Sequence, residues 1–126
     1  MSDSNSTSKE TSPMPLGEKG LRECWERLRL TIADLRAFIE TDDYEFVRRA
    51  GERVRELENN EYLSELSGLT DLISNVKAMN QKITQSNGKL DDVDHGLLVQ
   101  QAVYSISRAN ILSVGIEFRL KRAKGG

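Results

Sequence analysis

The sequence contains little proline, little cysteine and few aromatic residues, and each shortage limits what the chain can be. Two of its 126 residues are proline, one is cysteine and 6% are aromatic. A single cysteine cannot form an internal disulfide, so we expect a reducing compartment such as the cytoplasm. Because 30% of the residues are charged and so few are proline or aromatic, the composition favours helices over strands.

An excess of one charge sign and a long hydrophobic run are also lacking. The formal net charge is −2, so no overall field would attract a nucleic acid. The longest apolar stretch, residues 97–116, is interrupted by Arg108. Arginine at the bilayer centre costs about 3 kcal/mol on insertion scales, and we therefore expect no membrane span. Residues 1–16 are rich in serine and threonine and lack the apolar core of a signal peptide, which predicts a disordered leader.

Apolar residues recur at spacings of three and four along most of the remaining chain, which predicts four amphipathic helices. The predicted helices extend from about Glu18 to Glu40, from Asp43 to Glu58, from Tyr62 to Ser86, and from the acidic turn at residues 91–94 to about Arg122. In the breaks between them, Asp42 with Glu45 resembles a capping box, and Gly88 suits a left-handed helix end. The sequence therefore predicts an all-α fold, a four-helix antiparallel bundle in residues 17–122, followed by a flexible basic and glycine tail at 123–126.

The last predicted helix differs from the others because its apolar residues lie on several faces. One stripe contains Leu98, Ala102, Ala109, Leu112 and Ile116, and another contains Leu97, Tyr104, Ile111 and Phe118. A helix that is apolar nearly all round is typical of one buried by several neighbours, so we expect it at the centre of the bundle. Residues 116–122 also alternate with a period of two, which leaves a strand as an alternative there.

The third predicted helix has a narrow seam, which we predict to be an interface. The seam consists of Leu66, Leu69, Ile73, Val76, Asn80 and Ile83. A single asparagine in such a seam is typical of coiled coils in which a buried amide fixes register and partner number. Asn80 can pair with its counterpart on another chain, pair with Gln101 or Asn110, or lie at the seam's edge in water. The sequence leaves open whether the seams close within one chain or between chains.

The sequence offers no set of residues suited to catalysis or to metal binding. His95 is the only histidine, and its aspartate-rich turn lacks the glycine spacing and the later glutamate of a calcium loop. Cys24 has no imidazole nearby in sequence that would activate its thiol. A glycine-rich phosphate loop is also missing. We therefore predict a non-enzyme with no metal or cofactor, and a site shared between subunits is the remaining catalytic alternative.

The end of the chain is its most basic segment. Its cations are Arg119, Lys121, Arg122 and Lys124. Such side chains can bind phosphates or an anionic membrane surface, or they can simply suit a helix C-terminus. No aromatic residue lies between them for base stacking, so nucleic acid is an unfavoured partner.

These patterns together favour a protein–protein interaction module. We predict a small adaptor, chaperone-like or scaffold subunit that acts through helix packing, with a protein partner or as a homodimer. The alternative is a regulatory helical protein that associates with nucleic acid or an anionic surface through its basic tail and its arginine-rich second helix. The net charge of −2 argues against this alternative.

Overall fold

The computed structural model describes residues 17–58 and 66–125, which form four helices around one core. The helices are α1 (Glu18–Thr41), α2 (Glu45–Glu58), α3 (Leu69–Gln85) and α4 (Asp92–Gly125). α1 and α3 each pack against both α2 and α4, which closes the ring. The pairs Arg27–Glu56 and Asp34–Arg53 show that α1 and α2 are antiparallel, because position along α2 falls as position along α1 rises. The predicted all-α antiparallel bundle is confirmed, and the predicted leader lies outside the described residues.

The turn between α1 and α2 depends on two adjacent aspartates with different roles. Asp42 adopts the left-handed conformation at φ +59°, and its N–H donates to the Phe38 carbonyl at 2.7 Å. Asp43 lies just before α2 and caps its start, since its carboxylate accepts the Glu45 N–H at 2.9 Å. The predicted capping box led by Asp42 is therefore wrong, because Asp42 ends α1 and Asp43 caps the next helix.

α3 begins later than the sequence pattern predicts. Residues 62–65 of the predicted helix lie outside the described residues, and residues 66–68 form a turn that precedes the helix. Gly68 has φ +89°, a conformation that side chains with a Cβ rarely adopt. α3 ends at Gln85, one residue before the predicted end, and Ser86 caps it. Asn87 is the first left-handed residue after the cap, at φ +56°, and Gly88 is left-handed as predicted, at φ +75°, with its N–H donating to the Ile83 carbonyl at 2.9 Å.

α4 is an outer helix of the ring, and the prediction that it lies buried at the centre is wrong. One stripe is packed against α1 and α3, and its buried residues are Leu98, Ala102, Ser105, Ala109, Leu112, Ser113 and Ile116. The second predicted stripe is exposed, because within residues 17–58 and 66–125 α4 packs mainly against α1 and α3. The helix continues to Gly125, so the strand alternative at 116–122 is excluded. The predicted flexibility of 123–126 stays a prediction.

The core is apolar apart from three small hydroxyl residues, and each of these has a hydrogen-bond partner. Thr31 and Ser113 donate to carbonyls one turn earlier, and Ser105 lies 2.5 Å from the amide nitrogen of Asn75. The largest fully buried side chains of α1 include Phe38, Leu28, Ile32 and Leu35. None of the helices in residues 17–58 and 66–125 has the combination of length and hydropathy that a membrane span requires.

Candidate interaction surface

The predicted α3 seam lies inside the bundle. Leu66, Leu69, Ile73 and Val76 are buried, Ile83 is half-buried against the same core, and Asn80 is half-buried. Their apolar contacts therefore close within one chain in this structure. An interface role for this seam stays a prediction, and it now requires the bundle to open.

Asn80 is satisfied by its own chain. Its Nδ2 donates to the carbonyls of Val47 at 3.0 Å and Val76 at 3.1 Å. A Cβ on Gly51 would lie 2.7 Å from the same nitrogen, so only glycine leaves room for this amide. The suggested partners Gln101 and Asn110 are not the ones used. Asn80 thus joins α3 to α2 at a close helix crossing.

Asn75 makes the corresponding link on the other side of α3, and the sequence pattern missed it. Its Nδ2 donates to the Gln101 carbonyl at 3.0 Å and to the Ser105 hydroxyl at 2.5 Å. Asn75 lies one position before the seam residue Val76, so its polarity suggested an ordinary solvated position. The two asparagines fix α3 against both of its neighbours.

A stripe along α4 lies opposite its packed side and is here named the outer α4 face. Its residues are Val93, Leu97, Gln100, Tyr104, Ser107, Ile111, Val114 and Phe118. They follow one another at spacings of four and three, the repeat of a helix seam that another helix covers. Val93, Ile111 and Phe118 are 72%, 61% and 64% exposed. The stripe is therefore mostly apolar and exposed, with Gln100 and Ser107 as its polar positions.

The outer α4 face is held in place from both sides. The Tyr104 hydroxyl donates to the Asp71 carboxylate at 2.5 Å and accepts from Arg108 at 2.9 Å. On the α1 side, the Trp25 indole donates to Glu117 at 2.9 Å. The bonds to Asp71 and to Trp25 thus connect α4 to both of its neighbouring helices, α3 and α1.

The two ends of α4 carry opposite charge. Asp91, Asp92 and Asp94 lie at its beginning, where the Asp91 carboxylate accepts the Asp94 N–H at 2.8 Å. The predicted anion-binding residues Arg119, Lys121 and Arg122 are exposed at the other end. The side chain of Lys124 lies outside the described residues. The predicted basic group is therefore displayed on a helix rather than on a loop.

His95 belongs to a polar cluster that joins α4 to the α1–α2 turn. Its Nδ1 lies 2.9 Å from the Tyr44 hydroxyl and its Nε2 lies 2.9 Å from the Asp42 carboxylate. One neutral tautomer satisfies both contacts, with Nε2–H donating to Asp42 and Tyr44 donating to Nδ1. Burial, with a further effect of Asp42, raises the pKa of Tyr44, which keeps the phenol protonated. The sequence pattern missed this cluster because it joins residues far apart in the chain.

Cys24 has the properties of a structural thiol. Its side chain is buried in the core, and burial raises its pKa to about 12. The nucleophilic thiolate is therefore scarce at neutral pH. Among the described residues, no group of histidine, cysteine, aspartate and glutamate side chains is arranged to hold a metal ion.

Comparisons of the chain with protein-family models, with curated proteins and with solved structures found no match. Among its described surfaces, the outer α4 face combines apolar character with a regular helical repeat.

Proposed function

We propose that the protein is a non-catalytic interaction module that binds another helix along the outer α4 face. One observation carries the proposal: a seam with heptad spacing is left exposed on a helix whose opposite stripe is packed. Because a period near 3.5 residues suits a helical partner, the partner is expected to present an amphipathic helix. A small adaptor or scaffold subunit would act in this way, and the single buried thiol suits the reducing cytoplasm.

The non-catalytic part of the proposal is supported by the state of the chemically capable groups. The thiol of Cys24 is buried with a raised pKa, and both ring nitrogens of His95 are occupied by Tyr44 and Asp42. These groups are used to hold the bundle together, which leaves the apolar surface as the feature that lacks a structural explanation.

Site-specific photo-cross-linking in producing cells would test the proposed interaction. A benzophenone amino acid placed at Gln100, a polar position of the outer α4 face, should give covalent protein adducts. The same group at Glu52, on the exposed charged side of α2, is the control and should give few. Ile111→Glu should abolish the adducts formed at position 100, because it places a charge in the apolar seam. Equal yields at positions 100 and 52 would contradict the proposal.

A second candidate function follows from the exposed cations at the end of α4. Arg119, Lys121 and Arg122 would bind an anionic surface or nucleic acid through phosphate contacts. This candidate predicts binding to anionic vesicles or nucleic acid that weakens steeply with salt and is lost in Lys121→Glu/Arg122→Glu. Binding that is unaffected by these substitutions would contradict it.

A further inference from the structure

We infer that the helix covering the outer α4 face is the same face of a second copy of this chain, in antiparallel orientation. The inference rests on the proposed function and names the partner. It is carried by the charges at the two ends of α4, by the order of side-chain sizes along the stripe, by two flanking glycines and by the area available.

The charges of α4 favour an antiparallel pair of copies. Asp91, Asp92 and Asp94 lie at the start of α4, where Asp94 also pairs with Lys82 of the same chain at 3.4 Å. The cations Arg119, Lys121 and Arg122 lie near its end and outnumber the single acid there, Glu117. A parallel pair would place acid beside acid at one end and base beside base at the other. An antiparallel pair places each acidic end beside the basic end of the other copy, within the Debye length of about 8 Å. The net charges at the ends of α4 therefore match those of a second α4 that runs in the opposite direction.

The order of side-chain sizes along the stripe also fits the same stripe of a second copy that runs in the opposite direction. One antiparallel register sets Val93 level with Phe118 of the second copy, Leu97 with Val114, Gln100 with Ile111 and Tyr104 with Ser107. The two largest side chains, Phe118 and Tyr104, then fall beside the smaller Val93 and Ser107. Large and small side chains alternate across well-packed helix interfaces in this way. The stripe residues are all uncharged, so none of these four layers brings two charges together. Beside the stripe, Asp92 lies level with Arg119 of the second copy and Asp94 lies level with Glu117.

Two glycines support the same register. Gly96 and Gly115 lie at opposite edges of the stripe, in the interior of α4. A Cβ on either would meet nothing within 4 Å in the described chain, so packing inside the bundle does not explain them. Glycine in a helix lowers helix stability relative to alanine. In the antiparallel register Gly96 lies level with Gly115 of the second copy but on the opposite flank of the contact, so each flank lacks one side chain at that level.

The area of the face suits a dimer of moderate affinity. From the exposed fractions of its apolar side chains, pairing would cover roughly 600 Å² per chain, if a full side chain contributes about 100–200 Å². The total of roughly 1,200 Å² lies at the lower end of stable protein interfaces. We therefore expect a dimer whose population depends on concentration.

Other segments of this chain are less suitable occupants. The stripe from Val93 to Phe118 is about 38 Å long at the helical rise of 1.5 Å per residue. Residues 59–65 span at most about 25 Å when fully extended. Residues 1–16 contain few apolar side chains with which to cover it. A second copy supplies a helix of matching length and matching repeat.

Sedimentation equilibrium of the full chain over a wide concentration range tests the pairing. The wild type should approach twice its 14.2 kDa mass at high concentration. Ile111→Glu should remain monomeric with an unchanged circular dichroism spectrum, because Ile111 is exposed within the chain. The control is Leu30→Glu, which alters an exposed leucine on α1 and should dimerise like the wild type. A wild type that remains monomeric at millimolar concentration would overturn the inference.

Charge reversal at each end of α4 tests the orientation. Asp92→Lys/Asp94→Lys and Lys121→Glu/Arg122→Glu should each weaken the dimer at least tenfold, and the combination should recover most of the loss. Within one chain the two ends lie about 40 Å apart, so recovery arises only between two chains. Failure to recover would overturn the antiparallel arrangement. If the wild type is monomeric but position 100 still cross-links to a different protein, the proposed function stands and self-pairing fails.

Discussion

Asn80 shows how a polar side chain is accommodated on the inward side of a bundle helix. Its amide donates to the carbonyls of Val47 and Val76, and it occupies the space that Gly51 leaves free. The polar residue and the glycine therefore act together, since the amide satisfies its donors only where α2 approaches closely.

A double-mutant cycle tests this coupling. Asn80→Ala should lower the free energy of unfolding by about 1 kcal/mol, through loss of the amide hydrogen bonds. Gly51→Ala should give little or no net gain in the wild type, because the new Cβ displaces the Asn80 amide. In the Asn80→Ala background the same substitution should stabilise by about 1 kcal/mol through helix propensity. Urea denaturation measures all four proteins, and an identical effect of Gly51→Ala in both backgrounds would contradict the coupling.

Asp34 is largely buried, and burial disfavours the charged form of its carboxyl group. Its side chain is 14% exposed and lies 3.5 Å from Arg53. Burial raises the pKa of the Asp34 carboxyl above its ordinary value, although Arg53 and Arg49 act in the opposite direction. The folded pKa thus exceeds the unfolded one, so ionisation weakens the fold at neutral pH. This penalty disappears as the pH falls through the folded pKa.

Asp34→Asn makes the pH dependence measurable. The variant has no charge to bury, so it should be more stable than the wild type, and the difference in free energy of unfolding should be largest near pH 7. The difference should shrink towards pH 4, where the wild-type carboxyl becomes protonated. Urea denaturation at a series of pH values gives the difference directly. A difference that grows as the pH falls would show that the pKa of Asp34 is lowered instead.

At the scale of the helices, His95 connects elements that are distant in sequence. Its ring bridges Tyr44 and Asp42 and lies 5.8 Å from the centroid of the Phe38 ring in an edge-on arrangement. The first turn of α4 is thereby attached to the turn between α1 and α2. The cluster closes the ring of helices at the end where α4 begins.

His95→Ala should lower the free energy of unfolding by about 2 kcal/mol, because two hydrogen bonds and an aromatic contact are lost. His95→Gln keeps one polar contact and should lose less. Amide hydrogen exchange should show faster exchange in the first turns of α4 in the alanine variant, with α2 less affected. Unchanged protection at the start of α4 would contradict the role given to this cluster.

The sequence predicted those features of the helices that depend on local pattern. The bounds of α1, the left-handed turn with Gly88 after α3 and the helical stripes of α4 follow from periodicity and from turn chemistry. Periodicity shows that a stripe is apolar but does not show which neighbour covers it. The exposed stripe of α4 was therefore expected to be buried, and the buried α3 seam was expected at an interface.

The polar contacts between helices were beyond the sequence pattern for a related reason. Asn80 bonds a carbonyl 33 residues away, and His95 bonds Tyr44 over 51 residues. No periodic signal marks such pairs, since backbone acceptors are present at every position. Asn75 was missed because one polar residue outside a seam resembles any solvated side chain.

At the scale of the whole molecule, the described residues close a core and still expose an apolar stripe along α4. α4 packs with one stripe against α1 and α3 and presents the other to solvent. In a dimer formed through an α4–α4 contact, each chain would keep its own four-helix bundle unchanged. Dimerisation should therefore leave the helical content of each chain unchanged.

The most direct test of the central claim is one distance, measured by pulsed electron resonance between nitroxide labels on Asp92→Cys. Asp92 is exposed at the start of α4, and the native Cys24 is buried and should stay unlabelled. In the antiparallel dimer the two labels should lie about 40 Å apart, since position 92 is level with position 119 of the other copy. A distance of about 10 Å would show a parallel pair, and the absence of any interchain distance at high concentration would show that the outer α4 face does not bind itself.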